Sequence, residues 1–251
     1  MGLLQRIKDE YYYYTCKKWP IGDVGKFWDS VTDYDDINEK TYTYYRRFLD
    51  GYNVSTIPDN SYVLEVTPRT GNGTLYFHKK GKIKKAVGAD VSKFQIDIYK
   101  KNLSRSGIDF ESVVLNDYTF PFADNSFDAV LSFETVEHMG YPDVFISEIG
   151  RVLKKDGELI LTCPNILWEP VHWLAAVFKI HHSEGPHNFL TRRALYKYFK
   201  RAGLKVEREI GTILIPGGPR FLTALGELLE KLFPHLVIAF GLRRVFRCRK
   251  I

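Results

Sequence analysis

Polar side chains stand where several apolar runs of the sequence end, and one of them, Asp90, is suited to hold a sugar. Asp90 directly follows the apolar run Ala86–Ala89. The two oxygens of a carboxylate match the two neighbouring hydroxyl donors of a ribose. The sequence therefore favours a nucleoside site at Asp90, against the simpler interpretation that this side chain only caps a helix beginning near Ser92.

From residue 61 onward, short apolar runs alternate with helical stretches. This order predicts an α/β fold with a mostly parallel, doubly wound sheet and helices on both faces. Ligands bind such sheets at the carboxyl ends of the strands, where Asp90 stands. The predicted strands are Tyr62–Val66, Ala86–Ala89, Phe110–Leu115, Phe127–Phe133, Glu158–Cys163, Lys205–Ile215 and Val237–Arg249. The predicted helices are Asn38–Leu49, Ser92–Ser106, Tyr141–Leu153 and Thr191–Ala202, with a turn at Lys154–Gly157.

The composition is that of a chain that folds around a core. The 251 residues are 45% hydrophobic and 26% charged, which suits one domain with extensions and argues against disorder. We expect a helical, aromatic-rich N-terminal extension over residues 1–60 and a main domain over residues 61–251. Three cysteines far apart exclude a disulfide framework and fit a reducing compartment. No secretory signal or membrane span is recognised, so we expect a cytoplasmic protein.

Positive charge is concentrated in the last third of the chain. Residues 179–251 carry 15 basic and 5 acidic side chains. Phosphates, an acidic substrate, an anionic membrane or only solvent could face them. The apolar stretch Phe221–Phe240, which precedes Arg243 and Arg244, could make a peripheral membrane contact. The alternative is that this stretch packs into the core as the last helix and strand.

Five segments of the run Tyr62–Asn165 resemble, in order and spacing, the class I S-adenosylmethionine-dependent methyltransferases, in particular the small-molecule branch that includes quinone-biosynthesis enzymes. The resemblance implies a Rossmann-like, seven-stranded sheet with an antiparallel last strand. It also implies the cofactor S-adenosyl-L-methionine and the product S-adenosyl-L-homocysteine. The segments are Val63–Gly71, Val87–Ser92, Asp117–Asp128, Glu134–His138 and Glu148–Glu158.

One loop departs from the family pattern. The family usually has glycines at the positions of Thr67, Arg69 and Gly71, and only Gly71 remains. Glycines there permit unusual backbone angles and a close approach of the ligand. Arg69 could instead pair with the methionine carboxylate of the cofactor, or the altered pocket could bind the cofactor weakly or not at all.

The resemblance assigns roles to residues at the strand ends. Asp90 would hold the ribose and Val91 would pack on the adenine. Asp117, with Asn116 or Tyr118 beside it, would contact the adenine amino group. The remaining cofactor-binding residues implied by the family are Glu65, Thr67, Arg69 and Gly71 at the amino-acid end and Ser132 and Phe133 near the methyl group, with simple sheet core as the alternative for Phe133.

Two histidines are candidates for a catalytic base. Transfer of a sulfonium methyl group needs a base only where the acceptor must lose a proton, and the pKa of histidine lies near neutrality. They are His138, after the fourth strand, and His187; an ordinary polar loop residue is the alternative for each. His181 and His182 stand near His187, but no well-spaced carboxylate joins them, so we expect no metal site. The insertion at about 166–189 is rich in apolar residues and could form a lid over an apolar acceptor.

Together these observations predict a methyltransferase that acts on a small or lipid-like molecule, with transfer of the methyl group to oxygen. The main alternative is a non-catalytic cofactor-binding module that serves a partner protein. A nucleic-acid methyltransferase is not expected, because Ser132-Phe133-Glu134-Thr135 stands where the Asn-Pro-Pro-Tyr type of signature would hold a flipped base. A nicotinamide dehydrogenase is not expected either, since the G-x-G-x-x-G loop is absent.

Overall fold

The strands of the protein form one mixed sheet. The computed structural model describes residues 2–16, 18–31, 39, 41–178, 183 and 185–251. The strand order is β3-β2-β1-β4-β5-β7-β6. Strands β1 to β5 pair in parallel, and β7 runs antiparallel to both β5 and β6, which confirms the predicted fold class. The strands are β1 (Ser61–Val66), β2 (Ile83–Asp90), β3 (Asp109–Val114), β4 (Phe127–Phe133), β5 (Leu153–Pro164), β6 (Leu204–Thr212) and β7 (Arg243–Lys250).

Helices cover both faces of this sheet. Successive side chains of a strand point to opposite faces, so Leu64 joins one buried apolar cluster and Val63 joins the other. Two short 3₁₀ helices, Val136–His138 and Ile166–Trp168, follow β4 and β5. The α-helices are α1 (Leu3–Thr15), α2 (Ile21–Ser30), α3 (Tyr42–Val54), α4 (Asn72–Lys79), α5 (Lys93–Leu103), α6 (Pro142–Val152), α7 (Glu169–Val177), α8 (Arg192–Arg201), α9 (Arg220–Leu232) and α10 (Pro234–Phe240).

The prediction of one strand over Val237–Arg249 was wrong at its beginning. Residues up to Phe240 form α10, and β7 begins only at Arg243. Pro234 is the first residue of α10, where its fixed φ favours a helix and its missing N–H costs nothing. A short apolar run cannot be assigned to strand or helix from its periodicity alone, and this proline was the usable signal.

The helix predicted over Asn38–Leu49 agrees with the structure in part. Residues 38 and 40 lie outside the described residues, and helix α3 begins at Tyr42 and continues through Gly51 to Val54, beyond the predicted end. A Cβ at Gly51 would lie 2.9 Å from the Phe133 ring. Gly51 therefore serves the close packing of α3 on the sheet and is not a helix stop.

The predicted strand Lys205–Ile215 ends early, at Thr212.

The predicted turn Lys154–Gly157 lies within β5. The pairing of β4 with β5 passes from Phe127–Leu153 directly to Ala129–Glu158. Residues 154–157 are thus looped out of register, and Asp156 has a φ of 61°. The turn chemistry of this segment produces a bulge inside a longer strand.

Helices α2 and α3 pack onto the core of the same sheet. The indole N–H of Trp19 donates to the carbonyl of His138 at 3.0 Å, α3 packs on β5 and β7, and α1 packs on α7. The domain boundary at residue 60 and the lid at about 166–189 stay predictions, and residues 179–182 and 184 of that lid lie outside the described residues. Nowhere in the described part of the chain is a helix both long and apolar enough to cross a membrane.

Candidate functional site

The carboxyl ends of β1, β2 and β4 converge on a narrow crevice that α2 covers from one side. Its cavity volume is about 10 Å³, which is room for about one water molecule. The crevice brings together some of the predicted site residues and several others. Its lining residues are Val24, Trp28, Thr67, Arg69, Asp90, Val91, Gln95, Glu134, Thr135, His138 and Met139.

Asp90 ends β2 and is only 2% exposed. Its Oδ1 accepts a hydrogen bond from the amide of Ser92 at 2.9 Å, whereas the buried Oδ2 has no hydrogen-bond partner among the described residues. Burial raises the pKa of the Asp90 carboxyl to about 6, although the Ser92 amide and the positive charge of Arg69 oppose this shift. An unmatched acceptor atom in a crevice fits the hydroxyl donors of a ribose.

The loop after β1 keeps a glycine-like backbone although two of its glycine positions are occupied by larger residues. The φ angles of Thr67, Arg69 and Gly71 are 52°, 50° and 79°. Left-handed angles at non-glycine residues cost of the order of 1–3 kcal/mol each and persist where the surroundings enforce them. The amide of Thr67 donates to the carbonyl of Ala89 at 2.7 Å, and its hydroxyl contacts that of Thr135. Thr67 and Arg69 thus adopt the left-handed backbone angles that glycine favours.

Arg69 and Trp28 meet across the crevice. The guanidinium carbon of Arg69 lies 4.4 Å from the centroid of the Trp28 ring, which is a cation–π contact. The same ring stands edge-on to His138, with centroids 5.2 Å apart. Helix α2 holds Trp28 there by close packing, since a Cβ at Gly25 would lie 2.8 Å from the carbonyl oxygen of Val91. This arrangement explains the small cavity.

Glu65 lies at the end of β1 but does not line the crevice. Its Oε2 accepts hydrogen bonds from the amide of Thr74, at 2.7 Å, and from the Thr74 hydroxyl. A Cβ at Gly73 would lie 2.1 Å from its other oxygen, so the start of α4 sits directly on this carboxyl. Burial raises the pKa of Glu65 to about 7, against the opposing effect of the Thr74 hydrogen bonds.

Of the residues predicted at the adenine, Val91 lines the crevice, whereas Asn116, Asp117 and Tyr118 do not. Asn116 and Asp117 are exposed, and an oxygen of Asp117 accepts from the amide of Tyr118. Tyr118 is buried; its hydroxyl accepts from the amide of Gly140 at 2.8 Å and donates to the carbonyl of Trp19 at 3.3 Å. Tyr118 therefore ties the segment before α2 to the loop before α6.

Ser132 and Phe133, predicted near the methyl group, are buried in the sheet and are absent from the crevice lining. The Phe133 ring packs edge-on against Phe48 of α3, with centroids 5.1 Å apart, and also contacts Phe77 of α4. It thus takes the core position that was the alternative for it. The Ser132 hydroxyl is fully buried, and no described residue bonds to it.

Both candidate bases are buried, His138 at 3% exposure and His187 at 1%. Only His138 lines the crevice. Its Nδ1 lies 3.1 Å from the carbonyl oxygen of Pro186, and Nδ1 of His187 lies 2.8 Å from that of Gly185. A carbonyl oxygen accepts only, so each Nδ1 carries a proton and a neutral ring keeps its basic lone pair on Nε2.

No cluster of three or more His, Cys, Asp or Glu suited to a metal is found within the ranges that the structure describes. His181 and His182 lie outside these ranges. The sequence also missed Trp28, Gln95 and Glu134 as crevice residues. Glu134 carried a usable signal in the sequence, because it directly follows β4. In the structure its carboxylate pairs with the buried Arg243 at 2.9 Å. Trp28 carried none, because α2 matches no motif.

Comparison with known proteins agrees with this geometry. Residues 64–161 match the family model described as a methyltransferase domain. A SAM-dependent methyltransferase structure from Thermotoga maritima superposes with a TM-score of 0.63 at 16% identity, over 92% of this chain and 100% of that one. At this identity the likeness shows the fold alone.

Two curated relatives match about half of this chain. The fatty-acid O-methyltransferase of Mycolicibacterium smegmatis is 30% identical over 135 residues, which is 53% of this chain and 46% of that protein. The ubiquinone biosynthesis O-methyltransferase of Bartonella bacilliformis is 27% identical over 138 residues, 52% of this chain and 55% of that protein. The match thus spans about half the length of these relatives. Residues 64–161 therefore carry a methyltransferase domain, and the sheet order and the crevice at the strand ends resemble the class I S-adenosylmethionine-dependent methyltransferase fold.

Proposed function

We propose that this chain transfers the methyl group of S-adenosyl-L-methionine to an oxygen atom of a small or lipid-like acceptor. The observation that carries the proposal is the buried, unmatched Oδ2 of Asp90 in the crevice at the strand ends. The two curated relatives support the choice of acceptor, since their names describe O-methylation of fatty acids and in ubiquinone biosynthesis.

In this proposal Asp90 accepts the ribose hydroxyls and Val91 packs on the adenine. Arg69 is close enough to Asp90 to influence its charge, and its guanidinium would turn from Trp28 to the carboxylate of the cofactor. Asp117, with Asn116 or Tyr118, would meet the adenine amino group at the rim of the crevice. Thr67 and Gly71 shape the loop between these contacts.

When bound, the cofactor supplies an electrophilic methyl group, and S-adenosyl-L-homocysteine remains after its transfer. The chain has to align the acceptor and exclude water. Trp28 and Met139 are apolar walls for this purpose. His138 would take the proton of an acceptor hydroxyl on Nε2 while the carbonyl of Pro186 holds its Nδ1–H.

A transfer assay with labelled cofactor tests the proposal on two probes, a long-chain fatty acid and a prenylated phenol. We expect a methyl ester or a methyl ether, and S-adenosyl-L-homocysteine in equal amount. Transfer to neither probe by a chain that binds the cofactor would contradict the acceptor class. A chain that does not bind the cofactor would contradict the function itself.

The closed crevice favours one second candidate, a non-catalytic module that acts through a partner protein. Arg69 stacked on Trp28 leaves about 10 Å³, so cofactor binding requires these two side chains to separate. Calorimetry with S-adenosyl-L-homocysteine, combined with the transfer assay, distinguishes the candidates. Binding without transfer to any acceptor supports the module, whereas binding with transfer excludes it.

A further inference from the structure

Helices α9 and α10 present an apolar face to solvent. Its first side chains, at positions 221, 225, 228 and 232, recur at the helical spacing i, i+4, i+7 and i+11, so they share one side of α9. Exposed apolar surface of this extent marks an interaction site. We call these side chains, each 45–69% exposed, the α9–α10 face: Phe221, Leu225, Leu228, Leu232, Phe233, Leu236 and Phe240.

The acidic side chains of α9 are turned away from this face. Glu230 pairs with Arg46 of α3 at 2.8 Å and accepts from the amide of Ile213 at 2.9 Å. Glu227 accepts from the hydroxyl of Tyr42 at 2.8 Å. Both carboxylates are thus engaged by α3 and its neighbours; the Glu230 side chain is 11% exposed and that of Glu227 46%.

The basic side chains of the two helices are exposed instead. Arg220 stands at the beginning of α9 and Lys231 in its last turn, and both are exposed to solvent. Since both acidic side chains of α9 pair with Arg46, Arg220 and Lys231 supply the exposed positive charge beside the α9–α10 face. This combination of an apolar face and flanking cations complements an anionic lipid surface.

The apolar surface continues from α10 toward the candidate active site. The indole N–H of Trp168 donates to the carbonyl of Phe240 at 2.9 Å, which joins the start of α7 to the end of α10. Leu167, Leu174 and Phe178 are 47–60% exposed along this segment.

Helix α7 also reaches the loop that carries one candidate base. The His172 ring of α7 packs on Phe189, with centroids 5.2 Å apart, and Phe189 packs on His187 at 5.3 Å. A molecule held in a bilayer beneath this surface would therefore lie on the side of the protein where α7 borders the crevice region.

We propose that the α9–α10 face docks on the surface of an anionic lipid bilayer. The inference deepens the proposed function, on which it rests for the lipid-like nature of the acceptor. Helix α9 has 13 residues, about 20 Å at 1.5 Å per residue, so it lies in the interface and does not span the bilayer. The phenylalanine and leucine side chains enter the acyl boundary, while Arg220 and Lys231 meet the lipid phosphates.

Vesicle flotation with the full chain tests this proposal. The vesicles are phosphatidylcholine alone and phosphatidylcholine mixed with phosphatidylglycerol, and we expect binding to the mixture and much weaker binding to phosphatidylcholine. The double variant Phe221→Ser, Leu228→Ser should lose binding. The double variant Arg220→Gln, Lys231→Gln should weaken binding to the anionic vesicles about fivefold for each charge removed and make it less sensitive to salt.

Val144→Ser provides the matched control, because Val144 is 41% exposed on α6, which packs against β5 and α8 and carries no part of the face. It should bind like the unmodified chain. The proposal is overturned if the unmodified chain does not float with anionic vesicles, or if the Phe221, Leu228 variant floats equally well. It is also overturned if the chain is a dimer that this variant dissociates, since a second copy then covers the face.

Calorimetry with S-adenosyl-L-homocysteine on the same preparations keeps the two proposals distinguishable. Cofactor binding without flotation would contradict the docking surface alone, and flotation without cofactor binding would contradict the proposed function alone.

Discussion

The Arg69 guanidinium and the Trp28 ring lie 4.4 Å apart, so a cation from the loop after β1 and an aromatic ring from α2 close the crevice between them. In the proposed binding mode an adenosyl group takes the place of this contact. The position of Trp28 is then coupled to cofactor binding, and its ring serves as an internal reporter.

The first prediction is that S-adenosyl-L-homocysteine changes the tryptophan fluorescence and that Trp28→Phe removes most of this change. The chain has four tryptophans, but only Trp28 lines the crevice. Calorimetry on the same variant should still show binding. Trp173→Phe on α7 is the control and should keep the signal; a signal that survives in Trp28→Phe would mean that the ring does not move.

The second prediction concerns Asp90. Asp90→Asn keeps an oxygen that can accept from the Ser92 amide but removes the charge, so S-adenosyl-L-homocysteine should bind about 10- to 100-fold more weakly in calorimetry. Asp97→Asn on α5 removes an exposed carboxylate that pairs with Lys93 at 2.8 Å and should bind normally. Equal affinities in the two variants would remove Asp90 from the site.

The third prediction is a dependence of stability on pH that originates in Glu65. Its folded-state pKa of about 7 lies above the ordinary value of 4.5, so the folded state binds the extra proton. The contribution of Glu65 to the free energy of unfolding is therefore fully present below pH 4.5 and is lost as the pH rises through 7. Between pH 5 and pH 8 the loss attributable to this group is about 2–3 kcal/mol.

Glu65→Gln checks this directly, because it removes the ionisation and keeps an acceptor for Thr74. In urea denaturation the free energy of unfolding of the variant should exceed that of the unmodified chain at pH 8. This excess should be larger at pH 8 than at pH 5. A difference between the two proteins that does not change with pH would show that Glu65 titrates normally.

The fourth prediction separates two kinds of acceptor. A fatty acid is already a carboxylate at neutral pH, whereas a phenol must lose a proton. His138→Asn keeps a donor for the Pro186 carbonyl and removes the base, so kcat should fall about 10²- to 10⁴-fold with a phenol and much less with a fatty acid. Equal losses with both acceptors, or none with a phenol, would contradict the role of His138. His187→Asn gives the same comparison for the second histidine.

The parts of the fold that follow from local chemistry could be predicted from the sequence. Strand β4 has the predicted bounds, and the Thr191 hydroxyl caps α8 by accepting from the amide of Ala194, because short-range patterns determine both. The helix α10 had a local signal as well, the proline at its first position. The continuation of α3 through Gly51 could not be predicted in this way, because it depends on the Phe133 ring, far along the chain, that meets Gly51.

The residues of the candidate site also differ in whether their positions could be predicted from the sequence. Asp90 could be assigned because a carboxylate at a strand end has a geometric meaning in this fold. The positions of Phe133 and Ser132 could not be predicted, because the register of a strand decides which face of the sheet a side chain near its end occupies. Trp28 could not be predicted at all, because α2 reaches the crevice only through tertiary packing.

The place of β7 in the sheet affects how the protein is made. Strand β6 is joined to the sheet only through β7, yet it leaves the ribosome first, and residues 213–242 separate the two. At about 5–20 residues per second, translation leaves β6 without its neighbour for about 2–6 s. During that interval the backbone N–H and C=O groups of β6 lack their partners on β7, which makes this strand a candidate for chaperone binding.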